Sequence, residues 1–216
     1  MPDATKHILV IRLSAMGDVA MTVPVINALI QQNPQLKITL LTKSFFKPFF
    51  NDIKNVSVVV ADVKGKHKGV FGIYKLAQEL NSEYRFYAIA DLHNVLRSQV
   101  LKTFLKSKRI ITINKGRKEK KELIKGNFFK PLKSTHQRYA EVFERLGFTV
   151  DLSNPKFLEK RSLSKKTLGL LGNIKPKSIG IAPFAAFEGK MYPLEQMKLV
   201  INQLSKTNNI ILASKC

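Results

Sequence analysis

The apolar positions of this chain alternate between short, β-branched runs and stretches of helical period. His7–Leu13 (HILVIRL), Leu36–Thr42, Val56–Ala61, Tyr84–Asp91 and Arg109–Asn114 read as strands. Their near-continuous apolar character is that of a parallel sheet buried on both faces. Between the first two, Val19, Val23, Ile26, Leu29 and Ile30 fall at helical spacing, and Asn33-Pro34 ends the pattern. Phe45–Asn51 predicts a short helix. Gly69–Leu80, Val95–Leu105, the basic Arg117–Lys125 and His136–Leu146 predict longer ones, the last closed by Gly147. Strands alternating with helices imply βαβ units, hence an α/β fold with a parallel sheet covered on both faces.

The pattern then weakens. Asp151–Pro176 has few periodic apolar residues, Asn-Pro and Lys-Pro dipeptides and many lysines; it reads as a crossover with one short helix near Leu163–Leu171. A new βαβ unit follows: strand Ser178–Ala182, helix Pro193–Lys206 and strand Asn209–Ala213. The expected organisation is a first domain over 1–150, a crossover over 151–177 and the beginning of a second domain over 178–216. Two parallel strands and one helix do not close a core, so the sequence reads as truncated early in that second domain.

Composition sharpens the picture in one respect. The 216 residues include 37 Lys and Arg against 15 Asp and Glu, a formal net charge of +22. Such a surface attracts anions: phosphorylated substrates, anionic lipid headgroups or nucleic acid. Thirteen of the cations lie between Lys102 and Arg138, where the acids are Glu119 and Glu122 and where Phe128 and Phe129 stand alongside. This stretch reads as a membrane-facing or lipid-phosphate-binding surface, with a plain solvated face as the alternative. Nucleic acid is disfavoured, because no recognised reading motif accompanies the charge. The single cysteine, Cys216, excludes an internal disulfide and a cysteine metal cluster. No run approaches the roughly 18 apolar residues of a membrane span, and Met1–Lys6 lacks the pattern of a signal peptide. A cytoplasmic protein is expected, with peripheral docking on the inner face of the membrane as its extension.

Three segments carry candidate chemistry, each running from a strand end towards a helix start, where open α/β sheets bind ligands. In Arg12-Leu13-Ser14-Ala15-Met16-Gly17-Asp18, Gly17 permits close backbone approach and the helix start favours an anion. Asp18 suits a general base, since the helix dipole favours the carboxylate form; an N-cap role is the competing reading. In Ala182–Pro193, a loop of small residues (Pro183 and Ala185 among them) with Lys190 suits a pyrophosphate, against a solvated loop lysine. In Asp91–Ser98, His93, Asn94 and Arg97 suggest a polar cleft beside Ser14 and Asp18, against an Asx-type cap and a surface arginine. Neither G-x-G-x-x-G nor a P-loop is present, which disfavours the usual dinucleotide and NTP sites.

These segments resemble glycosyltransferase family 9, the ADP-heptose:lipopolysaccharide heptosyltransferases. The family opens with a strand, R-x-S-x-x-G-D and a helix carrying T-x-P; Arg12, Ser14, Gly17, Asp18, Thr22 and Pro24 match. DLHNVLRS, THQRYAEVFERLGF and GIAPFAAFEGKMYP are similar to three further family segments, although Phe184 and Tyr192 stand where Gly and Trp are usual. The resemblance implies a GT-B fold, in which a Rossmann-like acceptor domain is followed by a nucleotide-sugar domain. It implies transfer of a heptose-type sugar from an ADP-sugar to a lipopolysaccharide core or lipid A-type acceptor, with inversion. Asp18 would be the base, and Ser14, Gly17, His93, Asn94 and Arg97 would lie at the acceptor. Lys190, Pro183 and Ala185 would lie at the donor phosphates. The nucleotide-sugar is a substrate, and no cofactor or metal is expected. The alternative is a non-catalytic, truncated homologue that binds glycolipid or anionic membrane.

Overall fold

The computed structural model of the chain describes residues 6–154, 162–171, 177–185 and 187–212. Residues 1–5, parts of the expected crossover, Ala186, Ala213 and the terminal Cys216 lie outside the described residues. The chain divides into two compact units, residues 1–158 and 159–216.

The first unit is built on five parallel strands: β1 (His7–Ile11), β2 (Lys37–Thr42), β3 (Val56–Val60), β4 (Ala88–Asp91) and β5 (Ile110–Thr112), in the order β3-β2-β1-β4-β5. Among the described residues, six α-helices accompany them: α1 (Met16–Ala20), α2 (Thr22–Gln32), α3 (Gly69–Glu83), α4 (Leu96–Phe104), α5 (Arg117–Ile124) and α6 (Thr135–Arg145). A 3₁₀ turn at Ser44–Phe50 follows β2. Alternate residues of β1 enter opposite cores, because successive side chains of a strand point to opposite faces. Ile8 and Val10 pack with Val25, Ile26 and Leu29 of α2 and Tyr139 and Phe143 of α6. Leu9 and Ile11 pack with Leu76 and Leu80 of α3 and Leu101 of α4. Both sheet faces are thus covered, as the uninterrupted apolar strands require.

Several boundaries differ from the periodic pattern, two of them with a cause visible in the structure. The helix expected over Val19–Gln32 starts earlier and is broken at Met21 into α1 and α2. Pro24 has no N–H for the Ala20 carbonyl four residues back, and the Thr22 hydroxyl donates to the Val19 carbonyl at 2.7 Å. The strand expected from Tyr84 pairs only from Ala88, since its neighbour β1 begins at His7, whose carbonyl accepts the Tyr87 N–H. Tyr84 and Phe86 instead pack their rings against His7.

The second unit contains α7 (Lys165–Leu171) and a parallel pair, β6 (Ser178–Ile181) and β7 (Asn209–Leu212), joined through α8 (Leu194–Ser205). A short 3₁₀ turn, Glu188–Lys190, lies in the β6–α8 connection. Among the described residues, neither β6 nor β7 is fully buried.

Candidate functional site

The strand order places the switch point of the first sheet between β1 and β4. From β1 the chain winds outward through β2 to β3; β4 and β5 lie on the other side. The carboxyl ends of β1 and β4 are in register, Ile11 opposite Asp91. The segments that follow these two strands are those carrying Ser14–Asp18 and His93–Arg97, so a feature 80 residues apart in sequence becomes one crevice.

Arg12 is the centre of that crevice. Its side chain is buried, yet it carries a charge that must be met by partners. Nη1 donates to the Leu92 carbonyl at 2.5 Å, and Nη2 pairs with Asp18 Oδ2 at 2.5 Å. The guanidinium lies 5.7 Å from the centre of the Tyr139 ring, and the Tyr139 hydroxyl donates to the Asp18 carbonyl at 3.2 Å. Burial pushes the Tyr139 phenol up to about 12, so it remains a donor at neutral pH.

Asp18 is the third residue of α1, not its N-cap; Ala15 holds that position. Oδ2 accepts the Ala15 N–H at 3.2 Å as well as Arg12. The Asp18 side chain is 43% exposed. The carboxylate is therefore anchored through Oδ2 while part of the side chain stays open to solvent. Gly17 beside it is exposed, and a Cβ there would meet nothing within 4 Å, so the space next to its backbone is open.

Ser14 Oγ lies 3.3 Å from His93 Nε2. His93 is buried, and its Nδ1 has no partner among the described residues. Burial, reinforced by the Arg12 charge, lowers its pKa from 6.5 to about 4. His93 is thus neutral at pH 7 in the fold. Between pH 6.5 and 4 the unfolded chain takes up a proton that the folded one refuses, so the stability of this unit is expected to fall as the pH drops through that window. In His93→Gln, urea midpoints measured across the window should show a shallower slope; an unchanged slope would refute the assignment.

The Asx turn after β4 is built by Asp91. This carboxylate is wholly buried; Oδ1 accepts from the His93 and Asn94 N–H groups, each at 2.9 Å. Oδ2 accepts from the Ser98 hydroxyl at 3.1 Å and pairs with Lys102 at 2.7 Å. Asn94, held at φ 46°, gives its side-chain N–H to the Ile113 carbonyl and accepts from Gln99, which ties the turn to the end of β5 and to α4. Arg97 is exposed on the first turn of α4. Sequence reasoning did not single out Lys115, whose ammonium donates to the Asn94 carbonyl at 3.1 Å. Burial and the nearby Arg117 and Arg12 charges lower its pKa. Nor did it single out Tyr139 or Lys102; a tyrosine on the apolar face of α6 carries no local sign of its partner.

In the second unit, Pro183 and Ala185 are half-buried in the loop after β6. Lys190 ends the short 3₁₀ turn, exposed, with its ammonium 5.5 Å from the centre of the Phe187 ring.

The sequence model of glycosyltransferase family 9 (heptosyltransferase) matches residues 73–215, most of the chain and parts of both units. The chain belongs to this family. It is 27% identical over 120 residues to the lipopolysaccharide core heptosyltransferase OpsX of Haemophilus influenzae, an alignment covering 56% of this chain and 33% of that protein. Its fold is that of a family 9 glycosyl transferase from Veillonella parvula, at 19% identity and a TM-score of 0.76, covering 98% of this chain and 64% of that one. It also matches the Escherichia coli heptosyltransferase WaaC solved with ADP, at 16% identity and a TM-score of 0.67, covering 97% of this chain and 68% of WaaC. The chain thus spans about a third of its curated family relative and about two thirds of these solved structures. The parallel sheet and its flanking helices are those of GT-B-like family 9 enzymes.

Proposed function

We propose that this polypeptide carries the acceptor side, and the beginning of the donor side, of an enzyme that transfers a heptose-type sugar from an ADP-sugar to a lipopolysaccharide core or lipid A-type acceptor. The observation that carries this reading is Asp18: a half-exposed carboxylate at the switch point, anchored through Oδ2 by Arg12 and the Ala15 N–H. In this scheme the acceptor hydroxyl approaches the exposed part of this carboxylate and loses its proton to it as its own oxygen attacks the anomeric carbon. The bond from that carbon to the ADP oxygen breaks with its electron pair, so the configuration inverts. Ser14, Gly17, His93, Asn94 and Arg97 border the acceptor, His93 acting as a neutral partner. On the second unit, Lys190, Pro183 and Ala185 receive the donor phosphates, and the lysine offsets the charge that develops on departing ADP. The donor is a substrate, and the scheme calls on no resident cofactor or metal. The enzyme works in the cytoplasm, at the inner face of the membrane that holds its acceptor.

Titration calorimetry of ADP against the chain tests the donor part. Saturable binding is expected, weakened on the order of tenfold in Lys190→Ala, as for loss of a charge-assisted hydrogen bond. Binding that is indifferent to this substitution would remove Lys190 from the scheme.

A further inference from the structure

The three most exposed large apolar side chains among the described residues are Phe129 (99%), Phe71 (91%) and Ile124 (86%). All lie in the first unit, in two segments that follow the two outermost strands of its sheet. Phe71 lies in the first turn of α3, after β3 at one side; Ile124 and Phe129 follow β5 at the other. The switch-point crevice lies between them.

The β3 segment is held in place. Asp62 accepts the Gly65 and Lys66 N–H groups at 3.0 Å each and gives its own N–H to His67 Nδ1 at 3.1 Å. His67 is buried, and its Nε2 lies 3.2 Å from Glu79 of α3. A Cβ on Gly72 would collide with the His67 backbone, which shows how closely the loop lies on the helix. This bracing presents Val70 and Phe71 outward, beside the exposed Lys64, Lys68 and Lys75.

The β5 segment leaves and rejoins the same sheet edge. α5 starts five residues after β5. At the return, Arg138 donates to the Asn114 and Lys133 carbonyls and pairs with Glu119 at 2.7 Å. The excursion between these anchors buries no residue of α5 and sets Ile124 and Phe129 among exposed Lys118, Lys120, Lys121 and Lys130.

We propose that these two segments form a bipartite docking surface for an anionic phospholipid bilayer, straddling the switch-point crevice. Lysines around an apolar tip suit an interface of anionic headgroups over acyl chains, in which the ammonium groups stay with phosphate while Phe71, Ile124 and Phe129 enter the boundary. The excess of 37 cations over 15 acids supplies the complementary charge. Ile124 and Val70 are aliphatic, which suits acyl chains and adds nothing to stacking on nucleobases. This deepens the reading of a membrane-held acceptor: docking at two points would bring the crevice onto the plane where that acceptor sits.

The test is sedimentation of the full chain with phosphatidylcholine vesicles, with and without phosphatidylglycerol. Binding is expected only with the anionic lipid and should weaken with salt. Phe71→Ala and Phe129→Ala should each lower partitioning about tenfold, the order expected for losing one buried phenyl group, and the double variant more than either. Both residues are exposed, so unchanged circular dichroism is expected. Wild-type partitioning by either single variant overturns two-point docking. Tighter binding to a single-stranded oligonucleotide, weakened by the same substitutions, overturns the bilayer in favour of nucleic acid. The assay contains no donor or acceptor sugar. A failure of sugar transfer would therefore leave the surface standing, and a failure of vesicle binding would leave Asp18 standing.

Discussion

Asp18→Asn is expected to cut sugar transfer by about 10²- to 10⁴-fold, the usual worth of a positioned general base, while ADP binding and fold persist. The amide has nearly the shape of the carboxylate. Its oxygen can keep the positions that Oδ2 now occupies against Arg12 and the Ala15 N–H. Its nitrogen, turned away from the guanidinium, then takes the place of Oδ1, where the proposed scheme calls for a proton acceptor. The carboxylate is half-exposed but its Arg12 partner is buried, so losing the ion pair should cost on the order of 1–3 kcal/mol of stability, with the Leu92 carbonyl and the Asn oxygen still meeting the guanidinium. Transfer is measured by ADP release coupled to acceptor modification, and ADP affinity separately by calorimetry. Full transfer by the variant would place the base elsewhere. Loss of both transfer and ADP binding would make Asp18 a donor-site residue.

The second large effect concerns stability. Lys102→Met leaves the wholly buried Asp91 carboxylate without its cation, a change expected to cost about 3–5 kcal/mol. The lower end is favoured, because Asp91 keeps the His93 and Asn94 N–H groups and the Ser98 hydroxyl. Lys102 also donates to Thr112 Oγ1 at 2.6 Å, so the link between α4 and β5 is lost as well. Adding Asp91→Asn should return part of the loss, since a neutral amide in that place is less costly to bury than an unpaired charge. Urea midpoints of the single and double variants measure this. Additive losses would mean that the pair contributes no coupling. The same substitution should loosen the turn that carries His93 and Asn94, joining stability here to the shape of the crevice.

The membership of each strand and helix was legible along the chain because it depends on spacing over a few residues. Burial on both faces makes parallel strands apolar throughout, and α2, α3 and α6 show their packed faces at helical period. The break at Met21 was locally encoded too, in Pro24 and Thr22, but the apolar stripe running across it masks the signal. The polar segments after β1 and β4 were also visible, as was Asp18, since a motif is a local arrangement.

What the sequence could not state by itself was which charges meet. Arg12 reads as a strand-end arginine until β4 is laid beside β1 and Leu92 and Asp18 become its partners. Tyr139 stands 121 residues from the carbonyl it holds. Asp91 and Lys102, both polar in an apolar neighbourhood, become intelligible as one buried pair. The sequence alone determined the α/β class and the order of elements, because hydrophobic period is a short-range property. Strand order, the Arg12–Asp18–Tyr139 arrangement, the neutral His93 and the two exposed apolar tips were decided only by tertiary structure, because burial and electrostatic partnership depend on segments that folding brings together.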